Sequence, residues 1–212
     1  MRVLAVPVKS LDDAKSRLSE LLSPLERGAL TLAMFEDVLD TTLSIDGWAT
    51  WVVTPDETVL EVAARRGAEG FREERPSLPA AVQQVEEAAQ GAEALAVLHA
   101  DTPLVTREAL TAALHTLGPV VIAPSADESG TNLLLRRPPD AIASRFGPDS
   151  YRRHLETAAE RELPIAVIER EELAFDLDEP GDILTVLEAR RPGRTLEVCR
   201  DLSLAARLAA RT

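Results

Sequence analysis

The chain has 212 residues, 45% of them hydrophobic and only 3% aromatic, which suits a single domain with an aliphatic core. Its formal net charge of −13 argues against a nucleic-acid-binding surface, which needs a basic face, but leaves room for a nucleotide held by local cations. One cysteine, Cys199, rules out an intramolecular disulfide, and the lack of a secretory segment or of an apolar stretch long enough to cross a bilayer predicts a cytoplasmic protein with no membrane partner.

The chain opens with a predicted strand at 2–8, followed by a long helix. The helix is expected to begin after Ser23, because Pro24 suits a first turn and Glu26 completes a capping box. An apolar stripe at helical spacing predicts the buried face of this helix. The stripe consists of Leu25, Ala29, Leu32, Phe35, Leu39 and Leu43.

Strands and helices continue to alternate along the chain. Further strands are expected at 49–53, 69–71, 94–98, 120–123, 132–136, 165–169 and around Asp176. Further helices are expected at 56–66, 78–90, 107–117, 149–162 and 182–190. This order predicts an α/β fold in a single domain, 1–191, with a mostly parallel mixed sheet and helices on both faces.

Residues 192–212 are expected to form a C-terminal helical tail. A second apolar stripe at helical spacing runs along it, made of Leu196, Cys199, Leu202, Ala206 and Ala209. Such a stripe is more typical of a helix that packs on its own domain than of one that packs on a partner subunit. A homodimer is the alternative.

The loop after the first strand carries three cations, Lys9, Lys15 and Arg17. Phosphate-binding turns of α/β nucleotide sites usually follow the first strand. The loop has no glycine and is therefore neither a Walker loop nor a dinucleotide fingerprint, so phosphate would be bound by side chains. The alternative is an exposed loop whose cations balance Asp12 and Asp13.

Asp101 follows the apolar run 94–98, at the carboxyl end of a predicted central strand. Open α/β sheets bind their ligands at that edge. The alternative is an Asx turn that leads into Pro103. His99 could share a metal with Asp101, although a hydrogen-bonded core or rim histidine is favoured.

Asp176 and Asp178 flank Leu177, and alternate residues of an extended segment point the same way. Together with Asp101 they would offer a divalent cation three hard oxygen ligands at one sheet edge. Alternatively, Asp178 caps the helix that follows Pro180, and Asp176 pairs with an arginine.

Two further segments could bind a small anionic substrate. In the segment 129–132 a glycine permits close approach and Thr131 supplies a hydroxyl, and in the segment 145–150 Gly147 and Ser150 precede a helix whose N-terminal N–H groups attract anions. Ordinary loops and caps are the alternative. His115 and His154 fall on helices and are assigned no role.

Taken in chain order, these segments resemble the 2-phospho-L-lactate guanylyltransferase family, which includes bacterial members that act on phosphoenolpyruvate in the biosynthesis of the deazaflavin coenzyme. The resemblance covers residues 1 to about 190. Each motif is weak alone, but the set in the correct order is specific. The motifs are 7–9 with 14–18, 100–104, 130–132, 146–150 with His154, and 176–180.

The resemblance implies a nucleotidyltransferase fold related to that of the nucleotide-diphospho-sugar transferases. It implies transfer of GMP from GTP to the phosphate of a small phosphorylated carboxylic acid, with a downstream transferase that consumes the product. The residues would divide into a Mg²⁺ site (Asp101, Asp176, Asp178), an acceptor site (Thr131, Gly147, Ser150) and a catalytic group that binds the triphosphate (Lys9, Lys15, Arg17) and includes Asp101.

The chain departs from the family pattern at two places. Leu78-Pro79 stands where a Leu-Asn pair is usual, and Pro124-Ser125-Ala126 stands where Pro-Asp-Arg is common. These departures leave the acceptor open among phosphoenolpyruvate, 2-phospholactate and similar acids. They also keep two alternatives: a related Mg²⁺-dependent nucleotidyltransferase that acts on a sugar phosphate or molybdopterin, and a catalytically silent binding protein.

Overall fold

A single seven-stranded sheet forms the centre of the molecule. The computed structural model describes residues 1–75 and 77–211. The strands lie in the order β3-β2-β1-β4-β6-β5-β7. Their bounds are β1 (Arg2–Pro7), β2 (Ala49–Thr54), β3 (Glu69–Arg72), β4 (Ala94–Leu98), β5 (Val120–Pro124), β6 (Thr131–Arg136) and β7 (Ile165–Val167).

The sheet is mixed and mostly parallel, as predicted. β1 pairs in parallel with β2 and β4, β2 with β3, and β5 with β7. Only β6 runs the other way, antiparallel to both β4 and β5. Because of that reversal, β6 begins at the edge where β1, β4 and β5 end, and Thr131 therefore comes to the carboxyl edge of the parallel strands.

Helices cover both faces of the sheet, which confirms the predicted α/β architecture. Their bounds are α1 (Pro24–Leu43), α2 (Glu57–Arg66), α3 (Leu78–Ala88), α4 (Arg107–His115), α5 (Ser150–Glu160), α6 (Glu171–Ala174), α7 (Asp182–Ala189), α8 (Arg194–Asp201) and α9 (Leu204–Ala209). The predicted capping box at Ser23 and Glu26 is present. None of the helices in the described ranges is both long and apolar enough to span a membrane.

Alternate residues of β1 enter two different cores. Leu4 and Val6 pack with α1, α2 and α4 on one face, while Val3 and Ala5 pack with α3 and α5 on the other. A strand places successive side chains on opposite faces, so a run of apolar residues is what a strand covered on both sides requires. Nearly all of the buried hydrophobic side chains are aliphatic, in keeping with the low aromatic content of the chain.

The apolar stripe predicted for α1 is wrong at both ends. Leu25 is 84% exposed, and Ala29 and Leu43 are also exposed. The helix instead buries Leu30 and Met34, which contact the C-terminal helices. A helix that packs against two partners buries a wider face than one stripe, and for that reason a single spacing did not identify it.

No strand forms around Asp176, contrary to the prediction. The short helix α6 ends at Ala174, and the chain continues in an extended but unpaired segment. One backbone hydrogen bond, from Leu177 N to Asp101 O at 3.0 Å, holds this segment against the loop after β4. Leu177 is buried and its two aspartate neighbours are half-buried, so the predicted alternation holds without a sheet ladder.

The C-terminal residues form two short helices rather than one continuous stripe. The helical conformation is interrupted between α8 and α9 at Ser203, whose φ is 51°. Leu196, Cys199 and Leu204 are buried against α1 and α7, whereas Ala206 and Ala209 are exposed. Asp37 of α1 accepts hydrogen bonds from Arg194 N (2.8 Å), Thr195 N (2.9 Å) and Thr195 Oγ1 (2.6 Å). One carboxylate therefore satisfies the N-terminus of α8 and attaches it to the body of the domain.

We expect Asp37→Ala to lower the free energy of unfolding by about 2 kcal/mol, because three donors at the start of α8 lose their acceptor. Urea denaturation followed by circular dichroism measures this. Asp46→Ala is the matched control, since Asp46 is 96% exposed and, within the described part of the chain, pairs only with the exposed Arg107. Equal stability of the two variants would contradict the capping role.

Candidate active site

A cavity of about 960 Å³ opens at the carboxyl edge of the parallel strands. Its size lies in the range of roughly 300–1,000 Å³ that is usual for ligand pockets. Every site residue predicted from the sequence lines this one cavity: Lys9, Lys15, Arg17, Asp101, Thr131, Gly147, Ser150, Asp176 and Asp178. Their sequence positions span most of the chain. The sheet topology places the ends of β1 and β4 and the start of β6 at one edge, and the loop and first turn of α5 that carry Gly147 and Ser150 line the same cavity.

A buried ion pair joins three of these segments. Lys15 has a φ of 52° and a side chain that is only 6% exposed. Its Nζ lies 2.8 Å from Asp101 Oδ2 and 2.6 Å from Asp178 Oδ1. The lysine therefore lies between two carboxylates inside the cavity wall.

Lys9 and Arg17 are placed differently from Lys15. Lys9 is exposed at the rim of the cavity. Arg17 is 66% exposed and lies 3.7 Å from Asp178 and 3.5 Å from Glu179. Exposed pairs of this length are weak, so both cations can turn towards an incoming anion at little cost.

Both partners of the Lys15–Asp101 pair stay charged. Burial lowers the pKa of Lys15, but the attraction and hydrogen bonds of Asp101 and Asp178 outweigh it and raise that pKa above its usual value. Burial raises the pKa of Asp101, but the opposing effect of Lys15, with a smaller one from His99, brings it down to about 2. The other carboxylate oxygen, Asp101 Oδ1, is buried without a hydrogen-bond partner among the described residues.

Asp176 lies on the far side of the same cluster. It receives a hydrogen bond from Asn132 Nδ2 at 3.4 Å, and no arginine pairs with it within the described ranges, contrary to one alternative. Burial and then repulsion from Asp101 and Asp178 raise its pKa to about 6. Asp176 is thus a carboxylate that lacks a positive partner.

Asp178 does not cap α7, contrary to the other alternative. The backbone N–H groups of Asp178 and Glu179 both donate to Asp182 Oδ2, at 2.8 and 2.7 Å. Because Asp182 holds this turn, the carboxylate of Asp178 remains available for Lys15.

The carboxylate cluster suits a divalent cation, although not as a ready-made cage. Within residues 1–75 and 77–211, no three acidic, histidine or cysteine side chains stand close enough to hold one metal ion. The ammonium of Lys15 lies between Asp101 and Asp178 instead. Mg²⁺ usually takes one or two carboxylates and completes its shell with water and substrate phosphates. The unpartnered Asp101 Oδ1 and the repelled Asp176 offer such hard oxygens, so the donor set fits.

The opposite wall of the cavity is neutral. Ser150 Oγ donates to Thr131 Oγ1 at 3.2 Å, and the two side chains are 2% and 0% exposed. Ser150 is the first residue of α5, and Gly147 has a φ of 121°, a backbone conformation that favours glycine. Hydroxyl groups and a helix N-terminus together suit a small anion.

His154 contacts this wall, although the sequence reasoning assigned it no role. The side chain is fully buried, with Nδ1 3.0 Å from Thr131 Oγ1 and with Nε2 accepting a hydrogen bond from Arg145 N at 2.8 Å. Burial, followed by the arginines around it, lowers its pKa to about 3. The signal was present in the sequence, because Ser150 and His154 are four residues apart on one helix face.

His99 is not a fully hydrogen-bonded core residue. Its Nε2 is buried without a partner among the described residues, and its ring packs on Phe146 with 5.4 Å between the ring centroids. Desolvation lowers the pKa of the His99 ring.

Ser125, at one of the departures from the family pattern, shapes the loop before Thr131. Its Oγ accepts from Gly130 N and donates to Asp127 Oδ1, both at 2.7 Å. A Cβ at Gly130 would lie 2.9 Å from that oxygen, so any larger residue at this position would displace the Ser125 hydroxyl. Hydrogen bonds from Ser125 and Ser129 lower the pKa of Asp127 to about 2.

Several proteins of known fold share this architecture. A nucleotidyl transferase from Methanothermobacter thermautotroptrophicus superposes with a TM-score of 0.65 at 18% identity, over 89% of this chain and 97% of that one. CMP:2-keto-3-deoxy-manno-octonic acid synthetase, complexed with CTP, superposes with a TM-score of 0.58 at 14% identity, over 89% and 98%. These likenesses confirm the predicted nucleotidyltransferase fold.

Sequence relatives are more specific. A phosphoenolpyruvate guanylyltransferase from Rubrobacter xylanophilus is 43% identical over 189 residues, which cover 86% of this chain and 92% of that protein. A phosphoenolpyruvate guanylyltransferase from Sphaerobacter thermophilus is 39% identical over 85% and 90%. A 3-phospho-D-glycerate guanylyltransferase from Phenylobacterium zucineum is 37% identical over 89% and 91%.

The model of the family described as guanylyl transferase CofC like matches residues 1–209. The match takes in the ion pair of Lys15, the three aspartates and the hydroxyl wall. The chain therefore belongs to the CofC-like guanylyl transferase family and is a guanylyltransferase.

Proposed function

We propose that this guanylyltransferase moves GMP from GTP to the phosphate of phosphoenolpyruvate and releases pyrophosphate. The observation that carries the proposal is the division of one cavity into a charged wall and a neutral hydroxyl wall. The charged wall, formed by Lys15, Asp101, Asp176 and Asp178, suits a triphosphate with its metal. The hydroxyl wall, formed by Thr131 and Ser150, suits a small acid. The acceptor rests on the relatives named for phosphoenolpyruvate, while the relative named for 3-phospho-D-glycerate supplies the second candidate.

In the proposed reaction a phosphate oxygen of the acceptor attacks the α-phosphorus of GTP in line. The bond between the α-phosphorus and the bridging oxygen breaks, and pyrophosphate leaves with the electron pair. The acceptor phosphate is already anionic at neutral pH, so no general base is needed. Catalysis then consists of positioning and charge stabilisation.

Side chains of the charged wall would do most of this work. We assign the triphosphate to Lys9 and Arg17, which are exposed, and to Lys15, which would share its ammonium between carboxylates and phosphate oxygens. Asp101, Asp176 and Asp178 would hold Mg²⁺, which when bound neutralises charge on the phosphates. Asp101 also accepts a hydrogen bond from Lys15 Nζ and so helps to fix the position of that side chain.

The guanine base would lie at the end of the cavity lined by Pro55, Glu73, Ser77 and Leu78. The amino group of guanine is a hydrogen-bond donor, and a carboxylate such as that of Glu73 is a suitable acceptor. Ser77 is used in capping α3, where it accepts from Ala80 N at 3.2 Å. Leu78 would contribute an apolar contact, while Pro79, which stands where the family pattern has Asn, cannot supply the side-chain hydrogen bond expected there.

We also propose that the reaction belongs to deazaflavin coenzyme biosynthesis in the cytoplasm. The product joins an enolic acid to GMP through a phosphoanhydride, which is a reactive group. A downstream transferase that consumes the product would protect it from hydrolysis.

We predict that the protein releases pyrophosphate with GTP and phosphoenolpyruvate, and that ATP, CTP or UTP cannot replace GTP. The assay follows pyrophosphate with Mg²⁺ present and with the product-consuming transferase added. The same assay is run with 2-phospholactate, 3-phosphoglycerate and a sugar phosphate. Release with 3-phosphoglycerate alone would replace the acceptor, and release with the sugar phosphate alone would contradict the proposed function.

We expect Asp101→Asn to lower kcat by at least about a hundredfold, because the variant loses a metal ligand and a partner of Lys15. Far-ultraviolet circular dichroism should show that the variant is folded. Asp46→Asn, far from the cavity lining, is the control and should keep wild-type activity. Near-normal activity of Asp101→Asn would remove Asp101 from the mechanism.

We expect Asp176→Asn to stabilise the metal-free protein at pH 8 and to have little effect at pH 4. Because its pKa is raised, Asp176 keeps its proton to a higher pH in the folded protein than in the unfolded chain. Folding stability is therefore lost as the pH rises from the ordinary pKa of aspartate through about 6. The amide cannot ionise, so the variant escapes that loss and can still bond to Asn132. Thermal melts in chelator measure this, and an equal shift at both pH values would argue against carboxylate repulsion.

A further inference from the structure

The ring of His154 lies behind the hydroxyl wall rather than in the cavity. It is fully buried, while Thr131 and Ser150, in front of it, line the cavity. Phe146 covers one edge of the ring at 5.1 Å between the ring centroids. The histidine can therefore act on a ligand only through Thr131.

The hydrogen bond to the main chain determines which ring nitrogen carries the proton. A backbone N–H can only donate, so the bond from Arg145 N at 2.8 Å requires Nε2 to be an unprotonated acceptor. A neutral imidazole has one N–H group, which must then be at Nδ1. Burial, with Arg136 and Arg153 nearby, lowers the pKa to about 3 and keeps the ring neutral.

The position of that proton sets the direction of the hydrogen bonds in front of it. Nδ1–H donates to Thr131 Oγ1 at 3.0 Å, so the threonine oxygen accepts from the histidine. One further hydrogen bond joins the hydroxyl groups of Thr131 and Ser150 at 3.2 Å. The two hydroxyls together have two protons, and this bond uses one of them. The other proton is left for a ligand in the cavity.

We propose that His154 is a positioning residue that makes the Thr131–Ser150 hydroxyl pair a net donor towards an anionic oxygen of the acid acceptor. This inference rests on the proposed function, because it places the acceptor at the hydroxyl wall. The opposite tautomer would take a proton from Thr131, and the pair would then present only lone pairs to an anion. The wall thus selects a carboxylate or phosphate oxygen without using a charged side chain.

Two substitutions separate the two hydrogen bonds of His154. His154→Asn keeps an amide donor near the position of Nδ1 and loses the acceptor for Arg145 N. His154→Gln keeps an acceptor near the position of Nε2 and loses the donor to Thr131. We expect His154→Gln to raise KM for the acid about five- to tenfold, with KM for GTP and kcat nearly unchanged, and His154→Asn to stay close to the wild-type KM.

A double-variant comparison tests whether the effect passes through Thr131. In the Thr131→Val protein, which has no hydroxyl to orient, His154→Gln should raise KM for the acid no further. His115→Gln is the matched control, because His115 is exposed on α4 and, among residues 1–75 and 77–211, its side chain bonds only to Thr111 O. An equal effect of His154→Gln with and without the Thr131 hydroxyl, or an equal rise in KM for GTP, would show a packing role and overturn the proposal.

Nitrogen-15 NMR of the imidazole gives a readout that does not depend on activity. The expected state is a neutral ring protonated at Nδ1 near physiological pH. A ring protonated at Nε2 overturns the proposal even if the kinetic result agrees with it. If the wild-type protein releases no pyrophosphate with any acid, the proposed function fails, and the tautomer still decides whether Thr131 is held as a donor.

Discussion

A lysine buried between two aspartates is the interaction on which the ligand-binding edge of this sheet depends. Lys15 joins the loop after β1 to Asp101 after β4 and to Asp178 in the segment before α7. Breaking one side of such a pair leaves an uncompensated buried charge, which is expensive. Lys15 has a left-handed backbone conformation, and its side chain is buried. Three irregular segments are thus joined by an ion pair rather than by the hydrogen bonds of a strand ladder.

The same cluster explains how a chain with a net charge of −13 can bind polyanions. Negative charge is concentrated where a metal and Lys15 can balance it, and Lys9 and Arg17 remain exposed at the opening. Asp176 forms no ion pair among the described residues, and burial with repulsion from Asp101 and Asp178 raises its pKa despite the hydrogen bond from Asn132 and the attraction of Lys15. A cation or a metal-bound triphosphate would relieve this strain, so ligand binding and local stability are coupled.

The hydroxyl wall works on a different principle. It has no formal charge, and the preference for an anion that we propose for it comes from the direction of hydrogen bonds set by a backbone N–H group, an imidazole and two hydroxyls. A buried network of this kind is specific only when every member has a partner. Here the one proton without a partner faces the cavity. In the proposed function, the charged wall binds one anionic substrate and the neutral wall binds the other. Two cationic pockets side by side would repel each other, and a neutral wall avoids that repulsion.

The sequence by itself determined the order of strands and helices, most of their bounds and the edge of the sheet at which the candidate site lies. Local rules were sufficient, because capping residues such as Ser23 act within one turn and the carboxyl ends of parallel strands meet at one edge. Only the tertiary structure decided that α1 also packs on the C-terminal helices, that Asp176 lies outside the sheet, that Asp178 binds Lys15, and that His154 supports Thr131. These contacts join residues far apart in the sequence, 163 positions for Lys15 and Asp178, and no local spacing can encode them. They depend on which side chains the packed sheet brings within hydrogen-bond distance, where the cost of burying a charge or a polar group selects its partner.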